Sequence, residues 1–360
     1  MTVSAFLGAC ACFAALAGTS AALAAPFFQD PLDHPALPVP AADKRPMMAV
    51  AQAGARLVAV GSRGLVVTSD DQGASWAQAS VPVQSDLLAV HFPTPSHGWA
   101  VGHDGVILNS TDGGRTWRKQ LDGRRAGQLF KDFYRLSGDP AAPPVKHALA
   151  QLDLNFKAGP ALPYLDVWFA DTRRGFAVGA FGMIAATEDG GATWQPWLDR
   201  IDNPDGLNLN AIRGIGAKVY IVGERGTVFT LDAQGTRFSR GTTGYAGSFF
   251  GIAGNDTTLL AFGLRGNAYR SADQGASWEA VRMPSDATLM GGAAYPGQGG
   301  FVLVNSAGHV LVGDAAARRF SSVQPPRFMR YTGVAAVGNV ALVLTGLTGV
   351  QVEARPTAVR

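Results

Sequence analysis

Residues 98–117 read GWAVGHDGVILNSTDGGRTW. Two short apolar runs, 99–101 and 106–108, flank a turn closed by Gly105, and a second Gly-rich turn delivers Trp117. Apolar runs this short, broken by turns ending in glycine, form antiparallel strands rather than helices. The unit recurs as VAVGSRGLVVTSDDQGASW at 58–76, FAVGAFGMIAATEDGGATW at 176–194, YIVGERGTVFTLDAQGTRF at 220–238 and LAFGLRGNAYRSADQGASW at 260–278, with weaker copies at 301–320 and from 343 onward. Gly61, Gly102, Gly179, Gly223, Gly263 and Gly346 mark six copies, and Asn305 stands at the marker position of another. A period near forty residues with about four strands per copy belongs to β-propellers, whereas solenoids of that period are helical. The chain is therefore expected to be all-β, a seven-bladed β-propeller whose blades run from an inner strand A to an outer strand D.

In the second copy the strands are predicted at 87–92, 98–102, 106–110 and 116–120. The last copy supplies A, B and C (332–337, 340–345, 350–354) but leaves too little chain for D. The proline-rich stretch 27–40 is expected to provide that outer strand, a place where proline is tolerated. The expected organisation is a leader (1–25), an N-terminal segment closing the last blade (26–46), blades 1 and 2 (47–121), a helical insertion (122–160), blades 3 to 7 (161–355) and a short tail (356–360).

Strands C and D are joined by S/T-x-D-x-G-x-S/T-W in four copies, carried by Asp71 and Trp76, Asp112 and Trp117, Asp189 and Trp194, and Asp273 and Trp278. This turn resembles the Asp box of bacterial-neuraminidase repeats. Its chemistry is local: a carboxylate collects backbone N–H groups, glycine takes a positive φ, and the tryptophan fills space between blades. The motif identifies a fold and carries no catalytic role. More broadly, residues 98–117 are similar to the repeats of photosystem II assembly and stability factors, and the similarity runs over about 27–355. That resemblance implies a non-catalytic scaffold holding membrane-protein subunits on the periplasmic or lumenal side. Exported propellers of non-photosynthetic bacteria found beside RND-type exporters share it, so the partner is expected to be a membrane-protein complex, photosystem II-like or an RND-type exporter.

Composition agrees with a packed, exported β protein. Hydrophobic residues make up 47% and charged residues only 16% of 360, and glycine supplies 45, which excludes extensive disorder. The net charge of +3 is small and no run of Lys or Arg exceeds two residues, so nucleic acid is not an expected partner. Residues 1–25 hold an apolar stretch, small residues and no charge, which predicts a secretory signal peptide cut near Ala24/Ala25. Cys10 and Cys12, the two cysteines, lie inside it, so the mature protein is expected to lack disulfide and thiol chemistry.

The spacing between Gly102 and Gly179 is nearly double the period, which places an insertion after blade 2. Leu129, Phe130, Phe133, Tyr134 and Leu136 recur at helical intervals over 123–137, and 145–156 shows a second amphipathic pattern, predicting an αα-hairpin. Its apolar stripe either packs on the propeller or docks a partner; the docking reading singles out Arg124, Arg125, Lys131, Phe133 and Tyr134. Alternating strand directions put D–A connections and B–C turns at one end of the propeller. The insertion therefore shares a face with Arg63, Phe181, Arg225 and Arg265 at the second positions of B–C turns. Arginine and exposed aromatic side chains suit protein recognition.

Enzymatic readings find little support. A sialidase needs an arginine cluster, an acid, and a tyrosine nucleophile with its glutamate, yet only Glu188, Glu224, Glu279 and Glu353 occur, none beside a candidate tyrosine. A glycan-binding propeller would require a ring of exposed aromatics, for which strand A offers few residues besides Trp168, Phe169 and Phe249. His97 and His103 lie at opposite ends of strand B, about 20 Å apart at ~3.3 Å per residue, and cannot share a metal. Glycine-rich turns here join strands and open no helix, so they bind no nucleotide phosphate. No catalytic residue, cofactor or small-molecule substrate is expected.

Overall fold

The computed structural model describes residues 29–356 except 138, 297, 298 and 326. The leader and its cleavage site at Ala24/Ala25 lie outside the described residues. Seven antiparallel sheets follow one another along the chain, six of four strands and one of three. The inner strands A are Met47–Ala53, Leu87–His91, Tyr164–Phe169, Leu209–Ile215, Phe249–Gly254, Leu289–Ala294 and Tyr331–Val337. They neighbour one another in a ring around a central channel, the last against the first. Strands B, such as Gly98–Gly102, Gly175–Gly179 and Phe301–Asn305, are buried at every residue. Each is covered on both faces by neighbouring blades, which is why the sequence shows apolar runs there instead of alternation.

Every strand A carries a β-bulge near its start, where the register against strand B slips by one residue. The extra residues are Met48, Leu88, Leu165, Asn210, Phe250, Met290 and Thr332, and all seven line the channel. A bulge re-aims a side chain that regular pairing would direct elsewhere.

The Asp boxes form as their chemistry requires. In blade 2, Asp112 accepts hydrogen bonds from Ser110 Oγ (2.8 Å), from Arg115 and Thr116 N–H (3.0 Å each) and from Thr116 Oγ1 (2.6 Å). Trp117 is buried and donates Nε1–H to Gly114 O at 3.0 Å. Two degenerate boxes escaped the sequence pattern. Asp232 accepts from Thr236 N–H and Oγ1 (2.7 Å each), and Asp314 from Arg318 N–H (2.9 Å). Blades are joined by large side chains, most closely where Trp99 of blade 2 stacks on Phe169 of blade 3, centroids 3.5 Å apart.

The closure of the ring differs from expectation. Among the described residues blade 7 has three strands, Tyr331–Val337, Ala341–Gly346 and Gly349–Ala354, and residues 29–40 form no strand; residues 27 and 28 of the expected stretch lie outside the described residues. Residues 29–40 run instead as a strap along the outside of blade 1, with Gln84 N–H donating to Pro31 O (2.7 Å) and Ala36 N–H to Val81 O (2.9 Å). Leu32 and Ala36 join the core between blades 1 and 2, burial that a fourth strand in blade 7 would not offer them. At the strap's end a single turn, Ala42–Lys44, lies beside strand C of blade 7. Blade 7 is sealed to blade 1 by shared apolar packing of Val343 and Val350 with Leu57, Ala59 and Val67.

The insertion is an αα-hairpin, α1 (Gly123–Ser137) and α2 (Pro143–Asn155), close to the predicted spans. Ala126, Phe130, Tyr134, Ala148 and Leu152 are buried in the same core as blades 2 to 4. α1 rests on the B–C turn of blade 2, and α2 holds that of blade 3 through Asn155 Nδ2, which donates to Phe181 O at 3.1 Å.

Candidate docking face

The B–C turns are built alike. In each, the first residue donates its N–H to the carbonyl just before its own strand A: Ser62 to Pro46, His103 to Asp86, Ala180 to Pro163 and Leu264 to Ser248, at 2.9–3.3 Å. The second residue takes a left-handed backbone conformation at Arg63 (φ 57°), Asp104 (59°), Phe181 (51°), Arg225 (53°) and Arg265 (55°), and the glycine after it follows suit. This conformation is costly for any residue with a Cβ. It is held by the next blade: Arg63 N–H donates to Asp86 Oδ1 (2.7 Å), Phe181 N–H to Asn208 Oδ1 (2.7 Å) and Arg265 N–H to Thr288 Oγ1 (3.3 Å).

The side chains lifted by these turns are solvent-facing. Phe181 is 55% exposed. Among the described residues, the guanidinium groups of Arg63 and Arg265 meet no carboxylate, whereas Arg225 pairs with Asp205 at 3.2 Å. Leu37, Leu264, Phe328 and Leu347 are also exposed at this end, and Leu129, Leu136 and Leu154 on the insertion. Among the large apolar residues exposed in the described structure, only Val340 sits at the opposite end, in an A–B loop. The B–C face thus gathers nearly all the large apolar residues exposed in the described structure, whereas exposed arginines occur at both ends, Arg173, Arg237, Arg318 and Arg319 lying at the Asp-box end.

The insertion residues singled out by sequence divide sharply. Arg125 is exposed. Arg124 is engaged by the strap, bidentate with Asp33 (2.7 and 2.8 Å) and 3.3 Å from Asp30, and Lys131 pairs with Asp153 of α2 at 2.6 Å. Phe133 is half-buried against the Tyr134 ring. Tyr134 is a correction: it is 2% exposed, packed in the core, with its hydroxyl donating to Asp199 Oδ1 at 2.8 Å. Burial and the Asp199 carboxylate push its ionisation far up, so it presents no surface to a partner. Its side lies toward the propeller, and Leu129 and Leu136 face outward.

One charged pair was missed by sequence reasoning. Asp166 of blade 3 is buried, and its carboxylate accepts N–H bonds from Val167 (2.9 Å) and Ile212 (2.8 Å) and an ion pair from Arg213 Nη1 of blade 4. Burial raises the Asp166 carboxyl while Arg213 opposes the rise. Nearby His91 accepts the Phe169 N–H at Nδ1 (3.1 Å) and is pushed down to about 3 by burial and by Arg213, so it is neutral. The signal was an acidic and a basic residue, Asp166 and Arg213, inside inner strands.

Glutamates elsewhere serve the scaffold. Glu224 accepts from Asn208 N–H and Nδ2, and Glu279 pairs with Arg270.

Comparison with known proteins places the chain among propellers of one kind. The family described as photosynthesis system II assembly factor Ycf48 matches residues 52–132 and 145–316. The photosystem II assembly protein Ycf48 of Synechococcus sp. (strain JA-2-3B'a(2-13)) is 32% identical over 168 residues, 43% of this chain and 49% of that protein. The chloroplastic photosystem II stability/assembly factor HCF136 of Cyanidioschyzon merolae is 29% identical over 257 residues, 64% of this chain and 57% of its own. The chain thus spans about half the length of the curated relatives it matches. Among solved structures, Ycf48 bound to D1 peptide superposes with a TM-score of 0.63 at 14% identity, over 88% of this chain and 95% of that one. Ycf48 from Cyanidioschyzon merolae gives 0.60 at 16% identity, over 88% and 96%. These two establish the likeness of fold.

Proposed function

The chain belongs to the photosystem II assembly factor Ycf48 family, and from that membership we propose that it is an exported, non-catalytic scaffold whose B–C face holds a membrane-protein complex. One observation carries the reading: exposed Phe181 and neighbouring leucines are gathered on one face with Arg63 and Arg265, whose guanidinium groups meet no carboxylate among the described residues. Desolvated arginine and aromatic anchors supply much of the affinity of protein interfaces. Export is supported by the leader-like residues 1–25 and by relatives named as a lipoprotein and as a chloroplastic factor. A membrane-protein partner is supported by the assembly-factor names of the relatives and by a structural neighbour whose bound ligand is a D1 peptide.

The test is affinity isolation from detergent-solubilised membranes, comparing the wild type with Arg63→Ala/Arg225→Ala/Arg265→Ala. Wild type is expected to recover an integral-membrane complex, and the triple variant to bind it roughly tenfold or more weakly with an unchanged thermal midpoint. Equal recovery by both proteins would move the interface away from these turns.

A further inference from the structure

We propose that the mouth of the central channel binds a small amphipathic carboxylate, an aliphatic chain of medium length whose carboxylate is received by Arg213. Five of the seven bulges aim Met48, Leu88, Leu165, Phe250 and Met290 into the channel at its B–C end, all half-buried. The cavity they enclose holds about 410 Å³, within the roughly 300–1,000 Å³ of small-molecule sites. The two polar bulge residues are spent on joining blades: Asn210 Nδ2 donates to Phe249 O (2.7 Å) and Thr332 Oγ1 to Met47 O (2.6 Å).

Below that apolar ring the cavity wall carries two titratable residues among those described, Asp166 and Arg213. Asp166 is fully engaged and fixes Arg213 by Nη1, which also donates to Ile212 O at 2.6 Å. Nε and Nη2 of Arg213 meet no partner among the described residues, and its side chain is 44% exposed toward the channel. The result is an oriented guanidinium edge under a sleeve of Met, Leu and Phe. A guanidinium edge matches a carboxylate with two parallel N–H···O bonds. The sleeve takes an alkyl chain at no polar cost, whereas it would leave the amides of a peptide without partners. Methionines at two of the five positions adapt to chain shape. The inference stands apart from the partner reading, since the channel mouth and the B–C turns are different residues.

The test is calorimetric titration of the folded protein with decanoate below its micelle concentration, alongside 1-decanol and acetate. Saturable binding of one decanoate is expected, with decanol and acetate each weaker by about tenfold or more, the scale of a charged hydrogen-bond pair. Asp166→Asn/Arg213→Gln, which removes both charges and keeps the shapes, is expected to abolish the preference for decanoate over decanol. Met290→Glu, at the rim and away from the ion pair, is expected to weaken decanoate and spare decanol, and it serves if the double variant fails to fold. Decanoate binding unaltered by either variant, or equal binding of decanol, would overturn the proposal. Binding of a peptide with a free C-terminal carboxylate but not of decanoate would also overturn it and assign the pocket to chain ends.

Discussion

Asp71 and Asp273 each collect hydroxyl and N–H donors, led by Ser75 and Ser277, which hold their carboxyls down at about 2. An unfolded aspartate titrates near ~3.9, so these groups bind fewer protons folded than unfolded across that window. Their contribution to stability is therefore complete above about pH 4 and is lost as pH falls toward 2. The thermal midpoint of the wild type is expected to drop more steeply between those values than that of Asp71→Asn/Asp273→Asn; parallel pH profiles would show that the boxes do not act through their charge. At Arg63 the opposite logic applies, because the residue is strained rather than satisfied. Arg63→Gly is expected to stabilise the fold by about 0.5–1 kcal/mol through relief of the left-handed backbone, seen as a higher melting temperature, while weakening partner capture. Changes of the same sign in both would deny that the strain serves binding. The positions of Arg63, Phe181, Arg225 and Arg265 were legible because each stands second in a Gly-x-x-Gly turn. Their left-handed geometry was not, since Arg and Phe are poor candidates for it. Asp166 and Arg213 meet only when two blades are placed side by side, and no local pattern announces that.

The elements show where pattern reading succeeds and where it stops. Both insertion helices were readable from 3- and 4-residue spacing, but periodicity does not say which side of a broad stripe is inward. The structure buries Phe130 and Tyr134 and leaves Leu129 and Leu136 outside. The N-terminal segment was misplaced for a related reason. Proline-rich chain suits an edge strand and a strap equally well, and the contacts that decide, Leu32 in the blade 1–2 core and Arg124 on Asp30 and Asp33, are remote in sequence. Arg124 thus ties the strap to α1. Arg124→Ala is expected to leave the blades intact and to expose residues 29–40 to limited proteolysis, read as an early N-terminal cut by mass spectrometry. A cleavage pattern identical to wild type would show that apolar packing alone holds the strap.

At the scale of the whole molecule, seven repeats of one short pattern produce a ring with two unlike ends. The Asp boxes close one end with internally satisfied polar turns. The other end carries the exposed large apolar residues, the helical insertion and the channel mouth, while left-handed non-glycine residues and exposed arginines occur at both ends. The repeat count followed from sequence because each blade is a local unit. The seven bulges, one in the A–B pairing of every blade, and the path of the N-terminal segment along blade 1 had no signal in the local pattern. The central claim is that the B–C end is the docking end. It is tested most directly by photo-crosslinking in native membranes, with a photoreactive residue placed in turn at Arg63, Arg265, Gln234 and Arg318, the last two on the Asp-box end. Crosslinks from positions 63 and 265 to an integral-membrane polypeptide, and none from 234 and 318, are the predicted result. Crosslinks to that polypeptide from the Asp-box end alone would contradict it.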